Sequence, residues 1–172
     1  HAQIRCKPSI GAGKHQRWNV TVGDQKSTAS SDTTSYTAPA IEQIVVETIS
    51  GTLETHNLSQ GVRLIGSNFG PAIERNEIYG TYINTALLGG LASSEFSSSK
   101  CAVVSNHSEI ICMAVEGIGK NQTWSVTVGD QKSVRSRAST SYAAPEITRI
   151  EVETNLCPSA PSVCVPSSYP DL

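Results

Sequence analysis

Large side chains are scarce in this chain. Methionine occurs once, phenylalanine twice and tryptophan twice in 172 residues. Apolar residues make up 38% of the total, and no run of them approaches the roughly 18 that cross a membrane as a helix. No leader of the secretory type, charged and then apolar, is visible at the start. Neither sign of charge prevails: 13 Lys and Arg stand against 15 Asp and Glu, a net charge of −2. That balance argues against a nucleic-acid binder, which needs a basic stripe, and against an acidic membrane surface as partner. The one basic cluster is Lys132-Ser-Val-Arg-Ser-Arg137.

Catalytic and metal-binding patterns are missing as well. No Cys-x-x-Cys occurs, and no histidine sits at ligand spacing. Gly11-Ala-Gly-Lys14 and Gly117-Ile-Gly-Lys120 lack the spacing of a phosphate loop, and no helical pattern follows to offer its N-terminal dipole. Asp24 and Asp130 have no acidic neighbours of the kind calcium needs and read as turn residues. His15, His56 and His107 are isolated. An N-terminal histidine such as His1 resembles the copper ligand of lytic polysaccharide monooxygenases, but His1 aligns with the mid-chain His107, which argues against that use. No catalytic residue, cofactor or metal is expected, and the chain does not read as an enzyme.

What is present is Ser and Thr, 39 residues together, with Val, Ile and Gly in alternating patterns. This composition and the lack of helical periodicity predict an all-β fold. Strands are expected near 41–48, 61–67 and 76–83, with hairpins over 101–115 and 122–142; the Ser-rich stretch 93–99 reads as a loop. In the last hairpin Trp124, Val126 and Val128 alternate with Ser125 and Thr127, the pattern of one buried and one wet face.

The chain also repeats itself. Residues 1–48 align with 107–154 at an offset of 106, without a gap, and more than half of the positions are identical. Trp18-Asn-Val-Thr-Val-Gly-Asp-Gln-Lys-Ser27 matches Trp124-Ser-Val-Thr-Val-Gly-Asp-Gln-Lys-Ser133, and Thr34-Ser-Tyr36 matches Thr140-Ser-Tyr142. A period this long suits a whole small sandwich domain and not a solenoid turn. The expected organisation is therefore a complete domain over 39–144, the C-terminal part of another over 1–38, and the start of a third, or a tail, over 145–172. Ile147-Thr-Arg-Ile-Glu-Val-Glu153 matches Ile41-Glu-Gln-Ile-Val-Val-Glu47 before the similarity ends.

An Ile-rich strand after a proline, then Leu64-Ile-Gly-Ser-Asn-Phe-Gly70, a Cys…Cys hairpin, Trp-x-Val-x-Val, and a Tyr before a Pro together resemble the IPT/TIG domain, an immunoglobulin-like module of about seven strands. The resemblance covers 39–144 and both partial copies. It implies tandem immunoglobulin-like sandwiches, as in plexin-type receptors, microbial and protist surface proteins, some transcription factors, and modules beside polysaccharide-degrading enzymes. It speaks to fold far more than to function.

Five cysteines are present. Cys101 and Cys112 flank the turn at Asn106-His107 and fall opposite each other across it, within disulfide reach; extracellular members of the resembled family carry a similar pair. Cys157 and Cys164 would close a small local ring. Cys6 aligns with Cys112, which places its expected partner outside the chain. Four of the eight asparagines open an N-x-S/T sequon: Asn19, Asn57, Asn106 and Asn121. Chance gives about two at this Ser and Thr content, so placement counts for more than number, and all four fall in expected loops or on an outward strand face. Disulfides and N-glycans, with O-glycans expected on the Ser/Thr-rich stretches, point to an oxidising, extracellular or cell-surface location. The leading expectation is a structural glycoprotein whose domains assemble with their own kind, head to tail, into an array or filament. The alternatives are a protein- or glycan-binding module of a receptor or adhesin, and an accessory domain of a carbohydrate-active enzyme.

Overall fold

The computed structural model describes residues 3–48, 50–55, 60–72, 78–84, 95–98 and 101–151. Every regular element among them is a β-strand. The N-terminal piece holds four two-residue strands: β1 (Gln16–Arg17), β2 (Thr21–Val22), β3 (Gln25–Lys26) and β4 (Thr33–Thr34). The main body holds β5 (Ala40–Val46), β6 (Gly61–Ser67), β7 (Ile78–Asn84), β8 (Phe96–Ser98), β9 (Cys101–Ser105), β10 (Glu109–Met113), β11 (Gln122–Val128), β12 (Gln131–Lys132) and β13 (Ser139–Thr140).

Two antiparallel sheets make the main body. One runs β5-β6-β10-β9; the other runs β12-β11-β7-β8, with β13 also paired to β11. Both sheets feed one apolar core. Val62, Leu64, Ile110 and Cys112 enter it from the first, and Ile78, Tyr82, Trp124, Val126 and Val128 from the second. The period-2 alternation of β6 and β11 sends these side chains to one face. In β5 the apolar spacing is irregular, and a bulge between Ile41 and Gln43 shifts the register against β6. That extra residue brings Ile41, Ile44 and Val46 to the core together.

Two sequence expectations need correction. Ser125 does not lie on a wet face: it is buried, and its hydroxyl meets that of Thr81 at 2.9 Å. β11 is a central strand, and a short serine on it cannot reach past the longer side chains of its neighbours. Nor is the Ser-rich stretch only loop. Phe96–Ser98 pairs with β7, because Phe96 stacks on Tyr82 with ring centroids 5.2 Å apart. The other expected strands appear, with β5 ending at Val46 rather than 48.

The two-residue turns of the β2–β3 and β11–β12 hairpins use the same chemistry, with Gly23 and Asp24 at φ of 54° and 63°. Gly129 and Asp130 have φ of 52° and 64°, the two left-handed residues that a two-residue loop of matching twist requires. Close packing fixes another glycine, Gly66. A Cβ there would stand 1.9 Å from the Ala40 carbonyl oxygen and 2.9 Å from the Phe69 ring. Gly66→Ala is expected to destabilise the main body by about 3 kcal/mol or more, because a backbone atom cannot give way as a side chain can. Urea unfolding of the variant against the parent chain checks this; an unchanged midpoint would contradict it.

Candidate functional site

Polar chemistry in the main body is structural. Tyr82 and Tyr142 bring their hydroxyls within 2.9 Å of each other, Tyr142 donates to the Val115 carbonyl at 2.7 Å, and the Val115 N–H donates to the Tyr82 oxygen at 3.0 Å. Burial pushes both phenols above the ordinary tyrosine range. A folded-state value above the unfolded one means that their contribution is whole below the unfolded value of about 10 and is lost as pH rises beyond it. Arg63 lies between Glu47 and Glu109 on the surface, and both carboxylates raise its pKa. Among the described residues no three His, Cys, Asp or Glu side chains gather as metal ligands.

The unusual feature is the N-terminal piece, which repeats the hydrogen bonds of the last hairpin at the offset of 106. Trp124 donates its indole N–H to Thr140 Oγ1 at 2.9 Å, and Trp18 donates to Thr34 Oγ1 at 2.8 Å. The Trp124 and Val126 amides donate to the Ser136 and Ser133 hydroxyls; the Trp18 and Val20 amides donate to Ser30 and Ser27. Tyr142 N–H donates to Gly119 O and Tyr36 N–H to Gly13 O, both at 2.9 Å. Left-handed residues recur too, Gly23 and Asp24 repeating Gly129 and Asp130. Local sequence thus sets this conformation without the second sheet.

Burial is where the copies part. Trp124, Val126 and Val128 are 0%, 0% and 1% exposed, whereas Trp18, Val20 and Val22 are 37%, 36% and 65% exposed. Tyr82 stacks on Trp124 at 4.1 Å in the main body. In the N-terminal piece the corresponding space is an open cavity of about 630 Å³ lined by Cys6, Pro8, Arg17, Trp18, Thr34 and Tyr36, among others. At the far end Ile147 and Ile150 are 80% and 81% exposed, although their counterparts Ile41 and Ile44 pack on the core.

Between the two copies the contact is close, and backbone carbonyls accept the hydrogen bonds that cross it. Lys14 N–H donates to Gly129 O at 3.3 Å, Gln131 Nε2 to Tyr36 O at 2.9 Å, and Asn68 Nδ2 to Ala38 O at 3.1 Å. A Cβ on Gly129 would come within 2.7 Å of Gly13 Cα, so two glycines meet where no side chain fits.

The expected cysteine pair is in place. Cys101 of β9 faces Cys112 of β10, and their sulfurs are bonded at 2.03 Å. Gly80 lies beneath the bridge, where a Cβ would meet the two sulfurs at 3.1 and 3.0 Å. Cys6 is a free, exposed thiol. Cys157, Cys164, Asn57, His1 and His56 lie outside the described residues. Of the remaining sequons, Asn19, Asn106 and Asn121 are all exposed. Asn106 Oδ1 accepts the Ala72 N–H at 2.7 Å, which leaves the nitrogen that a glycan would use pointing elsewhere. Asn121 sits in the left-handed region at φ 57°. Asn19 occupies the place of the buried Ser125, so its exposure follows from the open edge beside it. The repeat, which marks 1–38 as the later part of a unit, already pointed to that open edge; the burial of Ser125 itself was not foreseen.

No family model matches the chain, and no curated protein matches it.

Two outcomes follow from the paired copies. Trp124→Phe is expected to cost about 2 kcal/mol or more of stability, and Trp18→Phe within about 0.5 kcal/mol, since only the first leaves a buried void; urea titrations of the two variants check the contrast, and equal costs would contradict it. Under native, non-reducing conditions iodoacetamide should label Cys6 and spare Cys101 and Cys112, and reduction of their bridge should cost about 2–4 kcal/mol. Peptide mapping that recovers alkylated Cys101 would contradict the bridge.

Proposed function

We propose that this chain is part of a structural, extracellular glycoprotein whose IPT/TIG-type immunoglobulin-like sandwiches assemble head to tail into an array or filament. Residues 39–144 form one whole sandwich in this reading. Residues 1–38 are the later part of the preceding unit, and 145–172 open a further unit or form a tail.

One observation carries the reading. Residues 1–38 repeat the indole, amide and serine bonds of their counterpart yet expose the side chains that the counterpart buries. A hairpin with an apolar face and an unpaired edge is built to be covered. The opposite end supports this: Ile147 and Ile150 stand exposed on a segment like β5, an element that 1–38 lacks.

Geometry of the junction favours an extended assembly. Pro39 is buried, three hydrogen bonds cross the junction, and no Gly/Ser linker separates the two copies. A fixed contact repeated without closure generates a helical filament. The disulfide and the exposed sequons suit an oxidising compartment outside the cell.

Two measurements test this. Electron microscopy of the intact natural protein should show fibres with a regular axial repeat; dispersed single particles at high concentration would refute the assembly. Mass spectrometry before and after N-glycosidase should show three or more of Asn19, Asn57, Asn106 and Asn121 occupied, and an unchanged mass would refute the glycoprotein reading.

A further inference from the structure

Gly11-Ala-Gly-Lys14 and Gly117-Ile-Gly-Lys120 lack the spacing of a phosphate loop, yet the two copies are built alike. The first glycine of each lies against a tyrosine. A Cβ would stand 2.8 Å from the Tyr36 hydroxyl at Gly11 and 2.7 Å from the Tyr142 hydroxyl at Gly117. The second glycine has φ of 101° at Gly13 and 97° at Gly119, values that glycine takes with ease and other residues do not. Its carbonyl accepts the N–H of the same tyrosine at 2.9 Å in both copies. The result is a ledge of bare backbone beside the tyrosine.

In the N-terminal copy a turn of the main body rests on that ledge. Lys14 N–H donates to Gly129 O at 3.3 Å, and Gln131 Nε2 donates to Tyr36 O at 2.9 Å. Gly13 is buried there, and Ala12 packs on the main-body core. The turn is matched to the ledge beyond what a hairpin needs. A two-residue turn with both φ positive accepts Asn or Asp as well as Gly at its first position. A Cβ on Gly23 would meet nothing within 4 Å, whereas one on Gly129 would lie 2.7 Å from Gly13 Cα. Glycine at this place answers to the ledge, not to the turn. Gln131 does likewise, spending its amide on a carbonyl of the other copy.

We infer that Gly-x-Gly-Lys and Val-Gly-Asp-Gln are the two halves of a joint through which one repeat seats the repeat that follows it. The partner is thus another unit of the same repeat, read by backbone contact at the glycine pair and by the glutamine amide. Residues 39–144 carry both halves, the ledge at 117–120 and the turn at 128–131. The turn grips the unit before, and the ledge serves the unit after. Because the two halves differ, the contact has a polarity and runs head to tail. The inference rests on the reading of 1–38 and 39–144 as parts of successive units, and it names the residues that hold them at one angle.

The test uses the whole chain. Backbone nitrogen relaxation by NMR reads whether residues 16–34 and 61–67 tumble as one body. In the parent chain they should share one correlation time, and Gly23→Asn should leave it shared. Gly129→Asn keeps the turn left-handed but sets a Cβ on the ledge. Gln131→Glu leaves the turn alone and removes the donor to Tyr36 O. In each of these two variants residues 16–34 should tumble faster than 61–67, and the Lys14 amide should exchange at least about tenfold faster. The Tyr36 and Ser133 amides, bonded within the ledge and within the hairpin, should keep their protection. A shared correlation time in both joint variants, equal effects of Gly23→Asn and Gly129→Asn, or two correlation times in the parent would overturn the inference. So would loss of Ser133 protection in both joint variants, because these residues would then hold the hairpin and not the joint. A parent that tumbles as one body but never forms fibres would keep this inference and sink the assembly; fibres from a parent that tumbles as two bodies would do the reverse.

Discussion

The stack of Tyr82 on Trp124 joins the early and late parts of the main body. The two rings come from different segments of one sheet, lie 4.1 Å apart, and are locked at their edges by the hydroxyl pair of Tyr82 and Tyr142 and by the indole bond to Thr140. Buried aromatics of this size dominate the energetics of a small core. Around them pack the disulfide, Gly80 and Phe96. Remove the strand that bears Tyr82 and the late hairpin keeps its shape but loses its cover, which is the condition in which residues 1–38 are found.

That contrast separates two levels of folding information. Turn chemistry and side-chain caps are local. Gly23-Asp24, the serines at 27 and 30 and the Trp18–Thr34 bond form within about twenty residues and need no partner sheet. Burial is not local. The same Trp-x-Val-x-Val segment is a core strand in one place and an exposed face in the other, although its sequence is nearly unchanged. Stability of the covered copy therefore comes from segments far away in the chain, and a partner that brings equivalent segments supplies the same free energy at an interface.

Much of this was legible in the residues. Alternation and composition yielded the all-β class, the position of β6, and the late hairpin; the spacing around Asn106-His107 yielded the Cys101–Cys112 pair. What escaped depends on neighbours rather than on local pattern. Ser125 looks wet from its alternation but is covered because β11 is central. Phe96–Ser98 looks like loop because serine dominates it, yet one phenylalanine with an aromatic partner makes it a strand. The bulge in β5 is visible only as an irregular Ile41, Ile44, Val46 spacing. The repeat pointed to the incomplete end, while the cavity beside Trp18 needed coordinates.

If residues 1–38 are a sandwich part awaiting its cover, their outer strand edge must change state on assembly. Hydrogen–deuterium exchange of the Arg17, Asn19 and Thr21 amides reads that edge directly. The account predicts fast exchange of these three amides in the dispersed chain, slower exchange of Trp18 and Val20, which donate to serine hydroxyls, and strong protection of all five in the fibre. Equal, slow exchange of all five in the dispersed chain, or no change at Arg17, Asn19 and Thr21 once fibres form, would contradict it.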